Sequence, residues 1–385
     1  MLSVLILGGT GIIGRELSTV ALAAGYRVCV VSRGRRLGRS RAVEEIVGDV
    51  YDTKAFAATL GDRVFDVVVD LLSFDPEQLT KSLTLFSGRC SQYVFVSSAT
   101  VYQGAEPGKG LTEDAPRTRG PWSYPSLKIL SEDRLRTECA RTGQAFTIVR
   151  PYITYSEQRI PFGAWEMGDV LGRILAGRPV VIGEQMANTL TSLTHSHDLA
   201  RGIVGVLGNS MAMNDDFHIA SEEQVTWAEV QSVAASIVDR TVTLVQVPDE
   251  RVAHVFPELT GKISDRLLPR AFDNSKLKRV VPGFAFEYSL RDGFADVIRS
   301  ALEHGLPETR LAHQGRIDRL LASAPDFDRE RRMYAWDLIR REPIGYLRYL
   351  SGFTPLTTGA KRAVKRVIAP LAVGNDPYGL KTDAV

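Results

Sequence analysis

Short apolar runs alternate with amphipathic segments along residues 1–150. The runs predict six strands, and the segments between them, including 12–24 and 124–141, predict helices. The predicted strands are 4–7, 27–32, 44–47, 64–70, 92–97 and 145–150. Because such continuous apolar strands are covered on both faces, the pattern predicts an α/β fold with a doubly wound parallel sheet. The carboxyl ends of the strands then share one edge, where ligands bind.

After Pro151 the pattern becomes less regular, and beyond residue 305 it becomes rich in arginine. Helices are predicted at 167–176, 198–207 and 227–238, with short strands at 180–182, 217–220 and 242–247. We therefore predict three parts. They are a doubly wound domain over 1–155 with 189–220 returning to it, a smaller mixed α/β substrate domain over 156–188 and 221–305, and a helical C-terminal extension over 306–385.

Composition constrains the function only weakly. A formal net charge of +2 in 385 residues does not favour a nucleic-acid partner, and the N-terminal apolar run ends at Gly8, far short of a membrane span. Three widely spaced cysteines lack disulfide or zinc spacing, which is typical of a reducing compartment. We expect a cytoplasmic protein with a small-molecule substrate, no nucleic-acid partner and no membrane span, and we leave a homodimer open.

A glycine-rich turn directly follows the first predicted strand. Gly8, Gly11 and Gly14 have the spacing G-x-x-G-x-x-G and open the first predicted helix. In a β-α-β unit such glycines form a tight turn, let backbone amides approach a pyrophosphate, and pack the helix against the strand. The turn therefore predicts a Rossmann-type dinucleotide site.

The residues after the second strand indicate which dinucleotide binds. The strand ends in Ser32, Arg33 and Gly34, followed by Arg35 and Arg36, with no acidic residue in reach. Guanidinium groups stabilise a 2′-phosphate, whereas NAD sites usually carry an acid that bonds the ribose hydroxyls. The sequence therefore favours NADP over NAD, although these arginines could also be solvated loop charges.

Tyr124 and Lys128 lie four residues apart in the predicted helix 124–141, so both side chains can share one helix face. A tyrosine hydroxyl is a poor base at neutral pH, and a neighbouring ammonium favours its phenolate form. Ser97, Ser98 and Thr100 follow the fifth strand at the ligand-binding edge and supply hydroxyls for a substrate oxygen. This placement predicts an acid/base pair.

The sequence resembles the extended short-chain dehydrogenases/reductases, in their NAD-dependent epimerase/dehydratase branch, over about residues 1–300. The resemblance implies Tyr124 as acid/base, Lys128 as its partner, and Ser98, with Thr100 as second choice, as the hydroxyl that positions the substrate oxygen. The full set of predicted cofactor contacts is Gly8, Thr10, Gly11, Ile12, Ile13, Gly14, Arg33, Arg36, Asp49, Val50, Leu71, Leu72, Ser97, Lys128 and Pro151.

Three departures from the family pattern matter. Pro125 follows the tyrosine where the family has a small residue, so either the Tyr124 geometry is altered or the helix starts one residue later. The segment after Arg150 lacks the Asn and the Gly-Pro of sugar-nucleotide enzymes, which weakens the expectation of a nucleoside diphosphate sugar. The Asp-Glu pair of dehydratases is also replaced, by Ala99 and Thr100.

These features predict a ketoreductase or epimerase that acts on a glycosyl or secondary-metabolite substrate. The alternative is a non-catalytic dinucleotide-binding regulatory or RNA-binding protein of the same fold. Tyr102, Tyr152 and Tyr155 are predicted to contact substrate, while the aromatic loop after the sixth strand could instead be a lid packed on its own core. No metal site is predicted, because His195 and His197 lack a third ligand; Asp198 is expected to cap a helix.

Overall fold

The computed structural model describes residues 1–34, 43–306, 311–322 and 324. The strands are β1 (Ser3–Leu7), β2 (Arg27–Ser32), β3 (Glu44–Val47), β4 (Phe65–Asp70), β5 (Cys90–Val96), β6 (Ala145–Pro151), β7 (Thr154–Tyr155), β8 (Pro161–Phe162), β9 (Trp165–Glu166), β10 (Val180–Gly183), β11 (Leu190–Thr191), β12 (Thr194–His195), β13 (Asp215–Ile219), β14 (Val225–Thr226) and β15 (Leu244–Val247).

The α-helices are α1 (Ile12–Ala23), α2 (Thr53–Leu60), α3 (Pro76–Phe86), α4 (Ser123–Thr142), α5 (Met167–Leu175), α6 (Glu184–Asn188), α7 (Ser196–Val206), α8 (Trp227–Ile237), α9 (Asp249–Val255), α10 (Thr260–Arg266), α11 (Ser275–Val280), α12 (Leu290–His304) and α13 (Leu311–Leu321). Short 3-10 turns lie at Ala99–Val101, Ser210–Ala212 and Pro257–Leu259. Within the described ranges, no helix is long and apolar enough to cross a membrane.

Seven parallel strands form the central sheet, in the order β13-β6-β5-β4-β1-β2-β3. Alternate residues of β1 explain why the strands are apolar throughout. Val4 and Ile6 pack into a core that includes residues of α1 and α7, whereas Leu5 and Leu7 face a second core with residues of α2, α3 and α4. The predicted doubly wound sheet is confirmed, and it places the ends of β4, β5 and β6 side by side.

The chain divides into two compact units. The first comprises Met1–Gln158, Leu190–Gln224 and Leu268–Gly293, and the second comprises Arg159–Thr189, Val225–Leu267 and the described residues from Phe294 onward. This differs from our boundaries at one place in particular: residues 268–293, which we assigned to the substrate domain, return to the first unit. Backbone hydrogen bonds join this segment to the first unit, since the Leu111 amide donates to the carbonyl of Ala271.

The second unit contains a parallel strand pair, β10 and β15, and a hairpin of β8 and β9. Helix α13 lies in the stretch predicted as a C-terminal extension, yet it packs into this unit. Buried Arg173 of α5 donates to Gln314 at 2.5 Å and to the carboxylate of Asp318. His313 lies 3.0 Å from Asp169. The rest of the predicted extension lies outside the described residues.

Candidate active site

The turn between β1 and α1 depends on glycine at two positions. Gly8 has a φ of +89°, and a Cβ there would lie 2.8 Å from Cδ2 of Leu72. A Cβ on Gly14 would lie 2.4 Å from the carbonyl oxygen of Gly8. Gly11 is the N-cap of α1, with no side-chain cap and no acidic residue in the first turn. The first-turn amides and the helix dipole therefore suit the pyrophosphate of a dinucleotide.

The remaining predicted cofactor residues lie around the glycine turn, after the ends of β3 and β4, and at the end of β6. Thr10, Ile12 and Ile13 are partly exposed around the glycine turn, and Leu71 and Leu72 of the loop after β4 lie against Gly8. Asp49 is exposed directly after β3 and accepts the Tyr51 amide at 2.9 Å. Val50 and Pro151 are buried.

The end of β2 differs from the sequence-based expectation. Arg33 is exposed there, and Arg36 lies outside the described residues. Ser32 Oγ accepts the Gly34 amide at 3.0 Å and donates to the carboxylate of Glu45 on β3. Our statement that no acid reaches this position was wrong. Strand β3 pairs in parallel with β2, and although Glu45 is in register with Val30, its side chain reaches the Ser32 hydroxyl.

Helix α4 begins at Ser123, one residue before Tyr124. Pro125 therefore occupies the first helical turn, where its missing N–H would have had no partner within the helix. Of the two alternatives raised by Pro125, the later helix start is therefore excluded. Tyr124 is partly exposed, and its ring lies 5.9 Å from the ammonium nitrogen of Lys128. The predicted helical spacing thus brings the two side chains together.

Lys128 is buried, and its Nζ donates to the carbonyls of Ser73 at 2.8 Å and Val96 at 3.0 Å. The rings of Phe95 and Phe74 lie 4.8 and 5.1 Å from the same nitrogen. Burial lowers the pKa of Lys128 to about 8, and nearby carboxylates, chiefly Asp70, oppose this shift. The ammonium is thus held between the ends of β4 and β5.

The predicted substrate hydroxyls follow Val96 directly. Ser98 begins the 3-10 turn Ala99–Val101, and its Oγ accepts both the amide and the hydroxyl of Thr100, the latter at 3.0 Å. Ser97 Oγ instead donates to Glu132 at 2.6 Å. Of the serine cluster, Ser98 and Thr100 therefore form one hydroxyl pair close to the carbonyl that holds Lys128, whereas Ser97 is engaged with helix α4.

A buried ion-pair cluster lies one helical turn beyond Lys128, and the sequence analysis missed it. Glu132 accepts two hydrogen bonds from Arg150 of β6, at 2.8 and 2.7 Å. Arg150 also donates to Asp216 at 2.5 Å and to Tyr102 at 2.8 Å. Although burial opposes its charge, Glu132 raises the pKa of Arg150 above its usual range. The i, i+4, i+8 spacing of Tyr124, Lys128 and Glu132 could have indicated that Glu132 lies on the same helix face as the acid/base pair.

The three tyrosines predicted to contact substrate are buried within the first unit. Tyr102 accepts the hydrogen bond from Arg150. Tyr152 packs 5.4 Å from the ring of Phe272, and Tyr155 packs 5.1 Å from the ring of His195. The structure thus surrounds these three rings with packed side chains, and their contact with substrate stays a prediction.

Two other aromatic side chains flank Tyr124 instead. The ring of Trp122 lies 5.1 Å from the Tyr124 ring, and that of Phe74 lies 6.4 Å away. Trp122 is partly exposed, and Phe74 is 49% exposed. Nothing in the apolar periodicity marks these positions, because both rings lie outside the regular elements.

The histidine segment has a structural arrangement that differs from the prediction. His195, not Asp198, is the N-cap of α7, and its Nδ1 accepts the His197 amide at 3.1 Å. Asp198 instead accepts the amides of Glu287 and Tyr288, at 2.9 and 3.1 Å. Across the described part of the chain, no group of three or more His, Cys, Asp or Glu side chains is arranged to hold a metal ion.

Two curated relatives resemble most of the chain. It is 25% identical over 312 residues to a chloroplast stem-loop binding protein of 41 kDa from Arabidopsis thaliana, covering 76% of this chain and 77% of that protein. It is 26% identical over 329 residues to 2'-dehydrokanamycin reductase from Streptomyces kanamyceticus, covering 82% of this chain and 86% of the relative.

A solved structure shares the fold. UDP-glucuronic acid 4-epimerase from Bacillus cereus in complex with NAD superposes with a TM-score of 0.61 at 17% identity, covering 77% of this chain and 96% of the epimerase. Residues 4–220, more than half of the chain, match the NAD dependent epimerase/dehydratase family. This match includes the glycine turn, the hydroxyl pair and the Tyr124–Lys128 pair. The chain belongs to the NAD dependent epimerase/dehydratase family.

Proposed function

We propose that the protein is an NAD(P)-dependent ketoreductase, with Tyr124 as the acid/base. The observation that carries this proposal is the placement of Lys128. Its ammonium is buried beside Tyr124 and is held by carbonyls at the ends of two neighbouring strands. A charge kept in that position stabilises the phenolate form of Tyr124, so it makes the phenol a stronger proton donor in ketone reduction and the phenolate available as base in the reverse direction.

Each residue then has a distinct part in ketone reduction. A reduced nicotinamide, when held at the glycine turn, would supply the hydride that the carbonyl carbon accepts. Tyr124 donates its phenolic proton to the carbonyl oxygen. Ser98, whose Oγ accepts the hydroxyl of Thr100, donates its own hydroxyl to that oxygen, and Lys128 stabilises the tyrosinate that remains. In the reverse direction Tyr124 accepts the proton of a carbinol.

The substrate we propose carries its ketone on a glycosyl ring or a secondary-metabolite ring. Phe74 and Trp122, on either side of Tyr124, offer apolar faces to such a ring. The reductase from Streptomyces kanamyceticus, named for a dehydrokanamycin, supports a ketone substrate. Epimerisation is the neighbouring alternative, in which the hydride returns to the other face of the same carbon.

The preference for NADP stays a prediction. Arg33 and Arg36 support it, because guanidinium groups favour a 2′-phosphate. Glu45 opposes it, because a carboxylate at the end of β2 bonds ribose hydroxyls and repels a phosphate. The preference for NADP therefore requires that the two arginines outweigh Glu45.

The test is a reductase assay with 2'-dehydrokanamycin and a panel of ring ketones, in the presence of NADH or NADPH. Oxidation of the nicotinamide is followed by absorbance, and the product is identified by mass spectrometry. We expect net alcohol formation with wild-type protein and not with Tyr124→Phe. Inversion of a carbinol centre without net cofactor oxidation would overturn ketone reduction in favour of epimerisation.

The second candidate is a dinucleotide-binding regulatory or RNA-binding protein, which the similarity to the stem-loop binding protein supports. This second candidate predicts a different result with the same purified protein. RNA stem-loops would bind with an affinity that falls steeply with salt, and Tyr124→Phe would leave that binding unchanged. Such binding without any ketone turnover would replace our proposal.

A further inference from the structure

Asp70, the last residue of β4, is buried and accepts four hydrogen bonds. Its Oδ1 accepts the amides of Leu72 at 2.8 Å and Ser73 at 3.0 Å. Its Oδ2 accepts the hydroxyl of Ser73 at 2.5 Å and that of Tyr93 at 2.6 Å. Three of these four bonds go to the loop that follows β4, so the carboxylate fixes the backbone conformation of that loop.

The same loop holds the lysine. The carbonyl of Ser73 accepts a hydrogen bond from Lys128 Nζ at 2.8 Å, whereas its amide and hydroxyl donate to Asp70, so Asp70 and Lys128 bind the same residue. Leu72 of this loop also lies against Gly8 of the glycine turn. One carboxylate thus orders the loop whose Leu72 side chain lies against the candidate cofactor turn and whose Ser73 carbonyl binds the catalytic lysine.

We propose that Asp70 is a positioning residue of the active site, which orders the Leu71–Ser73 loop around Lys128 and supplies the negative charge that keeps this buried lysine protonated. The inference rests on the proposed function only in the role of Lys128 as the partner of Tyr124. The placement of the two groups stands on the contacts themselves.

The charges around Lys128 support this role. Three carboxylates act on its ammonium: Asp70 at the end of β4, Glu132 on α4 and Asp75 before α3. Glu132 is paired with Arg150 and Arg117, which offsets its charge. Asp75 caps α3 by accepting the Gln78 amide. Burial lowers the pKa of Lys128 to about 8, and Asp70 gives the largest opposing contribution.

The experiment is an NMR titration of protein labelled with 13C at the lysine ε-carbon, with the Lys128 resonance assigned from Lys128→Met. In Asp70→Asn, which keeps the side-chain shape and removes the charge, the midpoint of Lys128 should fall by about 1 pH unit or more. Asp75→Asn is the matched control: it removes a neighbouring carboxylate that does not order the loop, and it should produce less than half that shift. An unchanged Lys128 midpoint in Asp70→Asn would overturn the proposal.

A stability cycle covers the case in which Asp70→Asn folds poorly. Removing one partner of a buried pair leaves the other uncompensated, whereas removing both does not. The double variant Asp70→Asn with Lys128→Met should therefore lose less stability than the sum of the single variants, or fold where Asp70→Asn does not. Additive losses would contradict the proposal.

Neither readout uses catalytic turnover, so the two proposals can fail separately. Full ketone reduction by Tyr124→Phe would remove the proposed acid/base role of Tyr124 and leave the coupling of Asp70 to Lys128 standing. An unchanged Lys128 midpoint in Asp70→Asn would remove the coupling of Asp70 to Lys128 and leave the proposed acid/base role of Tyr124 standing.

Discussion

Helix α4 takes part in two buried cation sites, one turn apart, in which the cation is held in different ways. Lys128 is itself the cation, and its hydrogen bonds go to two neutral carbonyls. Glu132 binds Arg150, whose guanidinium is compensated by two carboxylates, those of Glu132 and Asp216. Accordingly, the pKa of Lys128 is lowered to about 8, whereas that of Arg150 is raised.

The difference indicates that Arg150 has a structural role, whereas Lys128 is suited to a chemical one. A cation fully paired with carboxylates cannot exchange its partners without a large loss, so Arg150 anchors α4 to β6. A cation held by neutral carbonyls has a lowered pKa, so its protonation is sensitive to the charge of a neighbouring phenol. The region around Lys128 also ends at the partly exposed rings of Trp122 and Phe74, where ligand can approach.

The largest effect should come from breaking the paired cluster. Arg150→Met leaves Glu132 and Asp216 buried without their shared partner, so the free energy of unfolding should fall by about 3–5 kcal/mol. Urea denaturation measures this change. Arg136→Met is the control, because Arg136 also contacts Asp216 but is partly exposed, and it should cost less than about 1 kcal/mol. A loss for Arg150→Met as small as that of its control would refute the anchoring role.

The second effect concerns the pH dependence of stability at Lys128. Its pKa is about 8 in the folded protein, whereas an ordinary lysine has a pKa of 10.5, so between these limits the unfolded chain binds more protons. The stability of wild-type protein should therefore rise with pH across this window, relative to Lys128→Met, by about 2–3 kcal/mol in total. Urea denaturation at pH 7.5, 9 and 10.5 tests this, and a constant difference between the two proteins would contradict it.

A smaller effect is expected where the cofactor approaches the end of β2. Arg33→Ala should weaken NADPH binding about tenfold and leave NADH binding unchanged, and Glu45→Gln should strengthen NADPH relative to NADH. Fluorescence titration of both nucleotides measures this. Arg27→Ala, exposed at the opposite end of the same strand, should change neither. Equal effects of Arg33→Ala on both nucleotides would exclude it as a phosphate contact.

The smallest effect should appear at the aromatic side chains around Tyr124. Phe74→Ala and Trp122→Ala should each raise the KM for a ring ketone by about 3–10-fold with little change in kcat, because an aromatic contact contributes roughly 0.5–1.5 kcal/mol. Leu130→Ala removes an exposed apolar side chain from α4 and should have no effect. A change in kcat alone would show that the two rings do not bind substrate.

The sequence predicted those parts of the molecule that depend on local pattern. The apolar runs located the sheet strands, and the predicted bounds of β2 and β3 match the structure. The glycine turn and the spacing of Tyr124 and Lys128 are likewise local, since each is set within a single β-α unit or helix. Their meeting point at the sheet edge followed from the parallel order of the strands.

The parts that could not be predicted depend on pairing between distant segments. Glu45 reaches the end of β2 only through the register of β3, and Arg150 meets Glu132 only once α4 packs on β6. Aromatic character alone also did not distinguish the buried Tyr155 from the exposed Phe74. Burial is decided by tertiary packing, which residue type does not reveal.

The most direct test of the account follows deuterium from the 4-position of reduced nicotinamide into a ring ketone, with wild-type protein and with Tyr124→Phe. The account predicts label on the carbinol carbon of the product, and a rate of transfer about 10²–10⁴-fold lower in the variant. Equal rates of transfer in the two proteins would contradict the role of Tyr124 as the acid/base.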